Sequence, residues 1–283
     1  MKTYNPESYI TVIEISKAEI EKIDFALCKQ PRQTLKDFYD DCSTKPDIIC
    51  NGGFFNMSDG TTVFNFKDEN KVISNNPQYK WGIGITSGEL VFGCVDNTQF
   101  TDFVSAYPPL VEDSKAISIT YAKELDYKAR RTMLGYNKDT VFIVAVELPG
   151  MTFKEMQKLM LELGCTFAIN LDGGGSTKIL DKDGKSITST VYNRAVDNVV
   201  AVYLKKIYRV QAGAFMLKSG SEKLLKQIKA LDDKIGAGYK NAYIRKIGGF
   251  YKVQIGAFSK KSGAEKVKAD LISKGINCFI TCE

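Results

Sequence analysis

The sequence predicts an α/β protein, or more broadly an α+β protein, that is divided into two domains. A mixed-sheet domain is expected over residues 1–206, and a small β-α-β-β-α-β domain with a four-stranded antiparallel sheet is expected over residues 207–283. The length of 283 residues is that of about two domains. Charge also divides the chain, because residues 207–283 carry 15 Lys and Arg against 6 Asp and Glu, whereas residues 1–206 carry 24 against 27. The third observation is an internal repeat within residues 207–283.

The composition excludes several classes of chemistry. The chain has no histidine, so acid–base catalysis falls to Asp, Glu, Lys, Tyr or Cys. Seven cysteines without a CxxC pair argue against a disulfide framework and a structural zinc site, and they favour synthesis in a reducing cytoplasm. The N-terminal residues lack the apolar core of a signal peptide, and no apolar run reaches the ~18 residues of a membrane span. We therefore expect no signal peptide and no membrane insertion.

A glycine-rich motif follows the first strongly apolar segment of the chain. Asp47–Cys50 predicts a buried strand, and residues 51–56 then read Asn-Gly-Gly-Phe-Phe-Asn. Two glycines after a strand allow a tight turn with exposed backbone N–H groups. A plain hairpin loop is the alternative interpretation of this segment.

A second glycine-rich motif follows another apolar strand. Phe167–Leu171 predicts the strand, and residues 172–177 read Asp-Gly-Gly-Gly-Ser-Thr. Three successive glycines are costly to order, and such a turn can present N–H groups to an anion. Asp172 would lie at the rim of this turn as a general base or general acid. The absence of G-K-[ST] excludes a phosphate-binding Walker A loop.

A helix and two arginine sites complete the prediction for the larger domain. Thr152 and Glu155 form a capping box for a helix between the strands Val141–Val146 and Phe167–Leu171, which places Asp172 at a strand's C-terminal end. Two further segments carry arginines, Arg130-Arg131-Thr132 at the start of a strand pair and Arg194 before the strand Asn198–Leu204. Arginine binds phosphate bidentately, and a solvated surface arginine is the alternative for each site.

These motifs together resemble the phosphodiester glycosidase family over about residues 10–205. The resemblance implies an α/β domain that cleaves a sugar-1-phosphodiester on its glycosidic side. By this likeness the residues that carry the chemistry are Asp172, Arg131, Asn170 and Arg194. The residues expected to bind substrate are Asn51, Gly52, Phe54, Asn56, Thr132, Gly173, Gly174, Gly175, Ser176 and Thr177. The chain departs from the family at Glu147–Gly150, where relatives usually have an Asp-Gly turn, so the substrate's identity stays open.

The basic C-terminal region repeats itself at a spacing of 43 residues. Tyr208–Phe215 reappears as Tyr251–Phe258, and Ser219-x-x-Glu222 reappears as Ser262-x-x-Glu265. The Ser-x-x-Glu pairs predict capping boxes at the starts of two helices. A short strand is expected after each helix, near 242–246 and 277–281. The doubled β-α-β unit predicts two helices on one face of a four-stranded sheet.

Strand alternation divides the side chains of the two repeated strands between the faces of that sheet. Apolar residues should face the helices, namely Val210, Ala212, Val253 and Ile255. Polar residues should lie on an open, basic face, namely Arg209, Gln211, Lys252 and Gln254. Such a face suits a glycan or an RNA strand, and the absence of aromatic residues at these positions disfavours nucleic acid. A solvated lysine-rich surface is the alternative.

This region resembles the SPOR domain, and the doubled Y-[RK]-V-Q-x-G-A-F motif carries the likeness. The resemblance implies binding to peptidoglycan glycan strands. We therefore expect a cell-wall hydrolase, in which the SPOR-like region holds the enzyme on peptidoglycan while the larger domain cuts a glycosyl phosphodiester in a teichoic acid-like polymer. A bacteriophage or prophage endolysin, released during lysis, fits this plan.

Two alternative functions remain open at this point: a non-catalytic peptidoglycan-binding protein and an intracellular sugar-phosphodiester hydrolase. No cofactor is required by the expected chemistry. Oxygen atoms of Asp172, Asn170 and Asn51 could bind a divalent cation, but no spacing is diagnostic of a metal site.

Overall fold

A computed structural model describes residues 1–94, 99–105, 107–120, 123–188, 191–236 and 238–282. It divides the chain into two compact units, Met1–Leu204 and Lys205–Glu283. The predicted boundary, between residues 206 and 207, lies two residues further along the chain. Within the described residues, no helix has both the length and the apolar composition needed to cross a membrane.

The first unit contains sixteen strands and two α-helices in its described part. The strands before the first glycine-rich motif and the first helix are β1 (Lys2–Tyr4), β2 (Ile10–Ser16), β3 (Ile20–Leu27), α1 (Leu35–Asp41) and β4 (Ile48–Asn51). The strands of the middle region are β5 (Phe66–Asp68), β6 (Lys71–Ser74), β7 (Trp81–Thr86), β8 (Glu89–Cys94), β9 (Asp102–Ser105), β10 (Pro109–Glu112) and β11 (Lys115–Ala116). The remaining elements are β12 (Ala129–Tyr136), β13 (Thr140–Met151), α2 (Phe153–Glu162), β14 (Phe167–Asn170), β15 (Ile179–Asp181) and β16 (Asn198–Leu204).

A seven-stranded sheet forms the middle of this unit, in the order β1-β2-β13-β12-β14-β10-β11. The predicted hairpin is confirmed, since β12 and β13 pair from Arg131 opposite Val146 to Tyr136 opposite Val141. β12 also pairs antiparallel with β14, so β13 and β14 run parallel on either side of it. The predicted β-α-β unit is therefore present, with one strand between its two strands.

The seven-stranded sheet separates two apolar cores. One face packs against α2 through buried side chains such as Val144, Met156 and Met160. The other face packs, through Ile143 and Ile169, against a four-stranded sheet ordered β15-β4-β16-β3 and a five-stranded sheet ordered β6-β5-β9-β7-β8. Because β4 and β14 belong to different sheets, the two glycine-rich turns extend from opposite sides of the core that joins those sheets.

The helix α2 begins where its capping box predicts. Thr152 accepts a hydrogen bond from the Glu155 backbone N–H, and the Glu155 side chain accepts one from the Thr152 backbone N–H. The predicted apolar stripe is buried, including Phe153 and Met156. This packing fixes the start of β14, and hence the position of Asp172 at its far end.

The second unit has the predicted doubled β-α-β order. Its elements are β17 (Tyr208–Phe215), α3 (Lys218–Lys229), β18 (Tyr243–Ile247), β19 (Phe250–Phe258), α4 (Lys261–Ser273) and β20 (Phe279–Cys282). The strands form an antiparallel sheet in the order β18-β19-β17-β20. The apolar residues assigned to the helix side are buried in one core with Ile228, Val267 and Leu271.

The predicted capping boxes of the second unit are wrong. α3 begins at Lys218 and α4 at Lys261, and neither Leu217 nor Lys260, which precede them, provides a side-chain cap. Ser219 and Ser262 therefore lie inside the first turn of their helices. Both sequences continue the helix one residue further towards the N-terminus than the serine signal indicates.

The open face of the second sheet differs from the prediction at its centre. Gln211 and Gln254 stand opposite each other on β17 and β19 and are only 3% and 1% exposed. The outer strands place Tyr243 beside Gln254 and Phe279 beside Gln211, which forms a row of four side chains across the sheet. The expectation that aromatic residues are absent from this face is therefore wrong, because it considered the two central strands alone.

The side chain of Arg209 explains part of this burial. It extends from β17 across β19, where it donates to the Gly256 carbonyl at 3.2 Å, and its guanidinium lies 5.9 Å from the Tyr243 ring centre. Arg209 and Lys252 are half-buried, so the charged groups surround the glutamine pair. The buried Oε1 atom of Gln211 has no hydrogen-bond partner within the described residues.

Candidate functional site

The two glycine-rich turns meet at the ends of β4 and β14. Asn51 donates from Nδ2 to the backbone carbonyl of Asp172 at 2.7 Å, and Asp172 N–H donates to the Gly52 carbonyl at 3.0 Å. Thr132 donates from Oγ1 to Asn51 Oδ1 at 2.8 Å. Three of the predicted site residues, Asn51, Thr132 and Asp172, are thus joined across two sheets. Gly52 enters the same network through its backbone.

The first turn is not an open anion site. Gly53 N–H donates to Asn198 Oδ1 at 2.6 Å, and Gly52 N–H donates to the Asn198 carbonyl at 2.9 Å. A Cβ at Gly52 would lie 2.1 Å from Asn198 Oδ1, so only glycine fits this approach. The expectation that these N–H groups are exposed is wrong, because the chain itself supplies their acceptors.

Asn198 is a site residue that the sequence analysis did not identify. It is fully buried and donates from Nδ2 to Asp197 Oδ2 at 3.0 Å. Asp197 in turn accepts hydrogen bonds from Gln30 and Thr62. The available signal was the polar pair Asp197-Asn198 at the start of an otherwise apolar strand.

The second turn keeps donors available for a ligand. Residues Gly174–Ser176 form a short 3-10 helix, and Gly174 has a left-handed conformation with φ of 59°. Gly173 N–H donates to Asp172 Oδ1 at 2.8 Å. The N–H groups of Gly174 and Gly175 have no acceptor in the described part of the chain, although Gly174 is exposed. Two adjacent free N–H groups in this conformation can bind an anion.

Asp172 occupies the rim of this turn. Burial raises the pKa of its carboxyl above the ordinary value, while the Ser176 hydroxyl, the Gly173 N–H and the Arg194 guanidinium each lower it. The net shift is upward because desolvation of the charged form outweighs these partners. A carboxyl with a raised pKa next to an anion site is suited to exchange protons with a bound substrate or water.

Arg194 covers the other side of the turn. An added Cβ on Gly175 would lie 2.7 Å from Arg194 Nη2 and 2.8 Å from its Cζ, so the guanidinium rests against the glycine. The side chain is exposed and forms no hydrogen bond to the described residues. Its donors are available for a phosphate beside the free N–H groups.

Two buried cations support the turn from beneath. Arg130 donates to the carbonyls of Gly174 and Thr177 at 2.9 Å each and to Glu147 Oε1 at 2.8 Å. Lys178 is also buried, and burial followed by the Arg130 charge lowers its pKa. Their charges stabilise a turn whose carbonyls point inward. The sequence analysis considered Arg130 without assigning it to the site.

The structure does not bring Arg131 to this turn. Arg131 lies on the face of β12 opposite Thr132, and its buried guanidinium donates to the carbonyls of Met151, Leu125 and Tyr127 at 2.5–3.2 Å. It also packs 4.6 Å from the Phe153 ring centre. The two neighbouring arginines therefore separate by strand alternation, and the phosphate-binding role predicted for Arg131 is not supported.

Three further predicted residues have other surroundings. Asn170 stands opposite Met133, on the face away from Thr132, and donates from Nδ2 to the Tyr107 carbonyl at 2.7 Å. Phe54 packs edge-on against Phe64 and Tyr107 in an aromatic cluster. The Asn56 carboxamide accepts from Ser58 within its own exposed loop. None of these side chains contacts the triglycine turn in the described structure.

Ser176 and Thr177, by contrast, belong to the turn and are buried. Thr177 Oγ1 has no hydrogen-bond partner within the described residues, and neither has Asn170 Oδ1 on the other side of the sheet. An unpaired buried hydroxyl is costly, which points to a partner supplied from outside the chain.

The expected metal ligands do not converge. Asn51 Oδ1 already accepts from Thr132 and from Lys178 N–H, and Asn170 lies on the opposite face of the sheet. A separate trio, Asp24, Asp68 and Asp102, places its carboxylate oxygens within 4.8 Å of one another. Within the chain, Asp24 pairs with Lys22, while backbone N–H groups donate to Asp68 and Asp102. Nothing in this geometry requires a cofactor at the triglycine turn.

Comparison with known families matches both units. Residues 36–203 match the sequence model of the phosphodiester glycosidase family, and residues 204–281 match that of the SPOR domain. The first match covers the two glycine-rich turns, Arg130 and Arg194. It includes more than half of the chain.

Individual relatives are distant. The mouse (Mus musculus) N-acetylglucosamine-1-phosphodiester alpha-N-acetylglucosaminidase is 25% identical over 158 residues, which are 46% of this chain and 30% of the mouse protein's length. The catalytic domain of the zebrafish enzyme of that name, auto-inhibited by its pro-peptide, superposes with a TM-score of 0.57 at 17% identity, covering 71% of this chain and 85% of the zebrafish chain. A hypothetical protein from Synechocystis superposes with a TM-score of 0.61 at 13% identity, covering 72% and 61% of the two chains. These structures share the fold.

Proposed function

The chain belongs to the phosphodiester glycosidase family, and we propose on that basis that its first unit hydrolyses a sugar-1-phosphodiester in a bacterial cell-wall polymer. The observation that carries the proposal is the arrangement around Asp172. A carboxyl with a raised pKa adjoins two free backbone N–H groups and an exposed guanidinium. These groups suit a reaction that needs one proton acceptor and one phosphate-binding site.

In the proposed reaction, the phosphate binds to the N–H groups of Gly174 and Gly175 and to Arg194. Asp172 accepts a proton from a water molecule, which attacks the anomeric carbon. The bond between that carbon and the bridging oxygen breaks, and the phosphate leaves as a monoester with the bridging oxygen and its electron pair. The N–H groups and Arg194 stabilise the charge that develops on the leaving group. Because a phosphate monoester is a good leaving group, the reaction needs no strong general acid.

The second unit supports the cell-wall location in this proposal. Its match to the SPOR domain supports binding to peptidoglycan. A bound tail would raise the local concentration of wall polymer around the first unit through effective molarity. A teichoic acid-like polymer is the proposed substrate because it can carry sugars joined through phosphodiester bonds.

The test uses a defined diester and purified walls. N-acetylglucosamine 1-phosphate methyl ester, chosen after the name of the mouse relative, should yield free N-acetylglucosamine and methyl phosphate. Incubation with purified cell walls, followed by mass spectrometry of the released fragments, should identify the bond that is cut. Release of fragments with an intact sugar-1-phosphate bond would contradict the proposed reaction.

A lysin encoded by a bacteriophage or prophage is the more specific form of this proposal. It is motivated by the pairing of a hydrolase-family unit with a wall-binding unit in one chain. Such a lysin should reduce the turbidity of a wall suspension. Binding to walls without release of sugar or phosphate would instead favour a non-catalytic wall-binding protein.

A further inference from the structure

The segment 191–194 lies directly beside the triglycine turn. Lys178, which is buried, donates from Nζ to the Tyr192 carbonyl at 3.3 Å and to Asn193 Oδ1 at 3.0 Å. Arg194, at the end of the segment, rests against Gly175. The segment is therefore held in place by contacts to the turn, although its four side chains are exposed.

Tyr192 has one ring face fixed by the protein. The Arg130 guanidinium lies 4.3 Å from the centre of the Tyr192 ring. Arg130 is only 4% exposed and is itself held by the carbonyls of Gly174 and Thr177. The Tyr192 residue is nevertheless 41% exposed, so part of the ring is open to solvent. An aromatic side chain that is immobilised before a ligand binds loses little entropy on binding.

The position of this ring selects the chemistry of the ligand. Residues 192 and 194 are two apart, so their Cα atoms are separated by no more than about 7 Å. A phosphate at Arg194 therefore leaves its substituent within reach of the Tyr192 ring. A pyranose has an apolar face of C–H groups that packs on an aromatic ring, while its hydroxyls remain in water.

We propose that Tyr192 is the sugar-stacking residue of the site: the pyranose attached to the phosphate packs on the exposed part of its ring. This inference rests on the proposed function, and it adds a binding residue that recognises the sugar separately from the phosphate. The ligand it selects has an apolar ring face one bridging oxygen away from a phosphate. Arg130 orients the ring from behind and does not touch the ligand.

The test measures binding to the full chain with two probes, N-acetylglucosamine 1-phosphate and methyl phosphate. Replacing Tyr192 by Ala should weaken binding of the sugar phosphate about tenfold, while binding of methyl phosphate stays within about twofold of wild type. Tyr192→Phe should retain affinity for both probes, because the ring remains. Tyr192→Leu, which keeps apolar bulk over Arg130, should lose sugar affinity as Ala does and guards against misfolding of the Ala variant.

The matched control is Val191→Ala, a truncation at a neighbouring residue that is 79% exposed. It should leave the affinity for both probes unchanged. Equal weakening of both probes by Tyr192→Ala and Tyr192→Leu would assign Tyr192 a purely structural role and overturn the inference. Unchanged sugar-phosphate affinity in these variants, or no binding of the sugar phosphate by the wild type, would overturn it as well.

Hydrolysis of the methyl diester by the same proteins separates this inference from the proposed function. A wild-type protein that binds the sugar phosphate in a Tyr192-dependent way without cleaving the diester would refute the catalytic proposal and support the stacking residue. Cleavage with the same KM in wild type and Tyr192→Ala would have the opposite meaning.

Discussion

Asn51 donates a hydrogen bond from Nδ2 to the backbone carbonyl of Asp172 at 2.7 Å, which joins two turns 121 residues apart in the sequence. The bond is shielded, since Asn51 is fully buried and its Oδ1 is occupied by Thr132. The carboxyl of Asp172 is therefore held by a network that spans two sheets. Precise placement of a proton acceptor is what a hydrolytic site requires.

Asp172→Asn should reduce turnover of the sugar-1-phosphodiester by about 100-fold or more, because the amide cannot accept the proton of the attacking water. The amide can still accept the Gly173 hydrogen bond, so the fold should be retained. The measurement is kcat on the methyl diester, with circular dichroism as the folding control. Turnover close to that of the wild type would remove Asp172 from the reaction.

The pH dependence of activity should report the raised pKa of Asp172. The carboxyl must be ionised to act as a base, so kcat/KM should fall as pH drops through a pKa above the ordinary aspartate value. Arg194 lowers that pKa, so Arg194→Gln should move the acid limb to higher pH, whereas Arg194→Lys should keep it near its wild-type position. A limb that stays in place in Arg194→Gln while the rate falls would limit Arg194 to phosphate binding.

The strands around Asp172 could be predicted from the sequence because their apolar runs and turn residues are local signals. The hairpin of β12 and β13, the helix α2 with its Thr152 cap, and the strand β16 all follow from such signals. The triglycine turn was identified for the same reason. Local patterns do not state which distant group a turn will contact.

The errors arise from contacts between residues distant in sequence. The N–H groups of Gly52 and Gly53 look free in the sequence, yet Asn198 accepts from both. Adjacent arginines cannot be separated without the strand register, which places Arg130 at the turn and Arg131 behind the sheet. The outer strands of the SPOR domain bring aromatic residues to a face that the repeat motif alone presents as polar.

Arg131→Met should destabilise the first unit by about 2–4 kcal/mol, because three buried carbonyls lose their donor while the apolar contact with Phe153 is kept. Chemical denaturation with a fitted m-value measures this change. The folded variant should retain activity within a few-fold of wild type. Loss of activity at unchanged stability would restore the catalytic role that the family likeness implies for Arg131.

Gly175→Ala should impair catalysis by displacing Arg194. The new Cβ would lie 2.7–2.8 Å from the guanidinium, and that long side chain can swing away at little cost to stability. We expect kcat/KM to fall about tenfold with little change in Tm. In an Arg194→Ala background the same substitution should add almost nothing, which a double-mutant cycle would measure. Additive losses would show that Gly175 acts independently of Arg194.

The open face of the SPOR domain provides a matched test of peptidoglycan binding. Arg245 and Lys252 stand opposite each other on β18 and β19, on the same face as Gln254. Replacing both by Glu should release the full chain from peptidoglycan stripped of stem peptides, because the exposed lactyl carboxylates of the glycan would meet like charge. The effect should weaken as salt rises above about 0.1 M.

The control for this variant changes the same charge on the other side of the domain. Lys223 and Lys226 are exposed on α3, which packs on the opposite face of the sheet. Replacing both by Glu alters the net charge equally, and sedimentation with peptidoglycan should remain at about the wild-type level. Equal loss in the two double variants would mean that net charge, and not the open sheet face, determines binding to the wall.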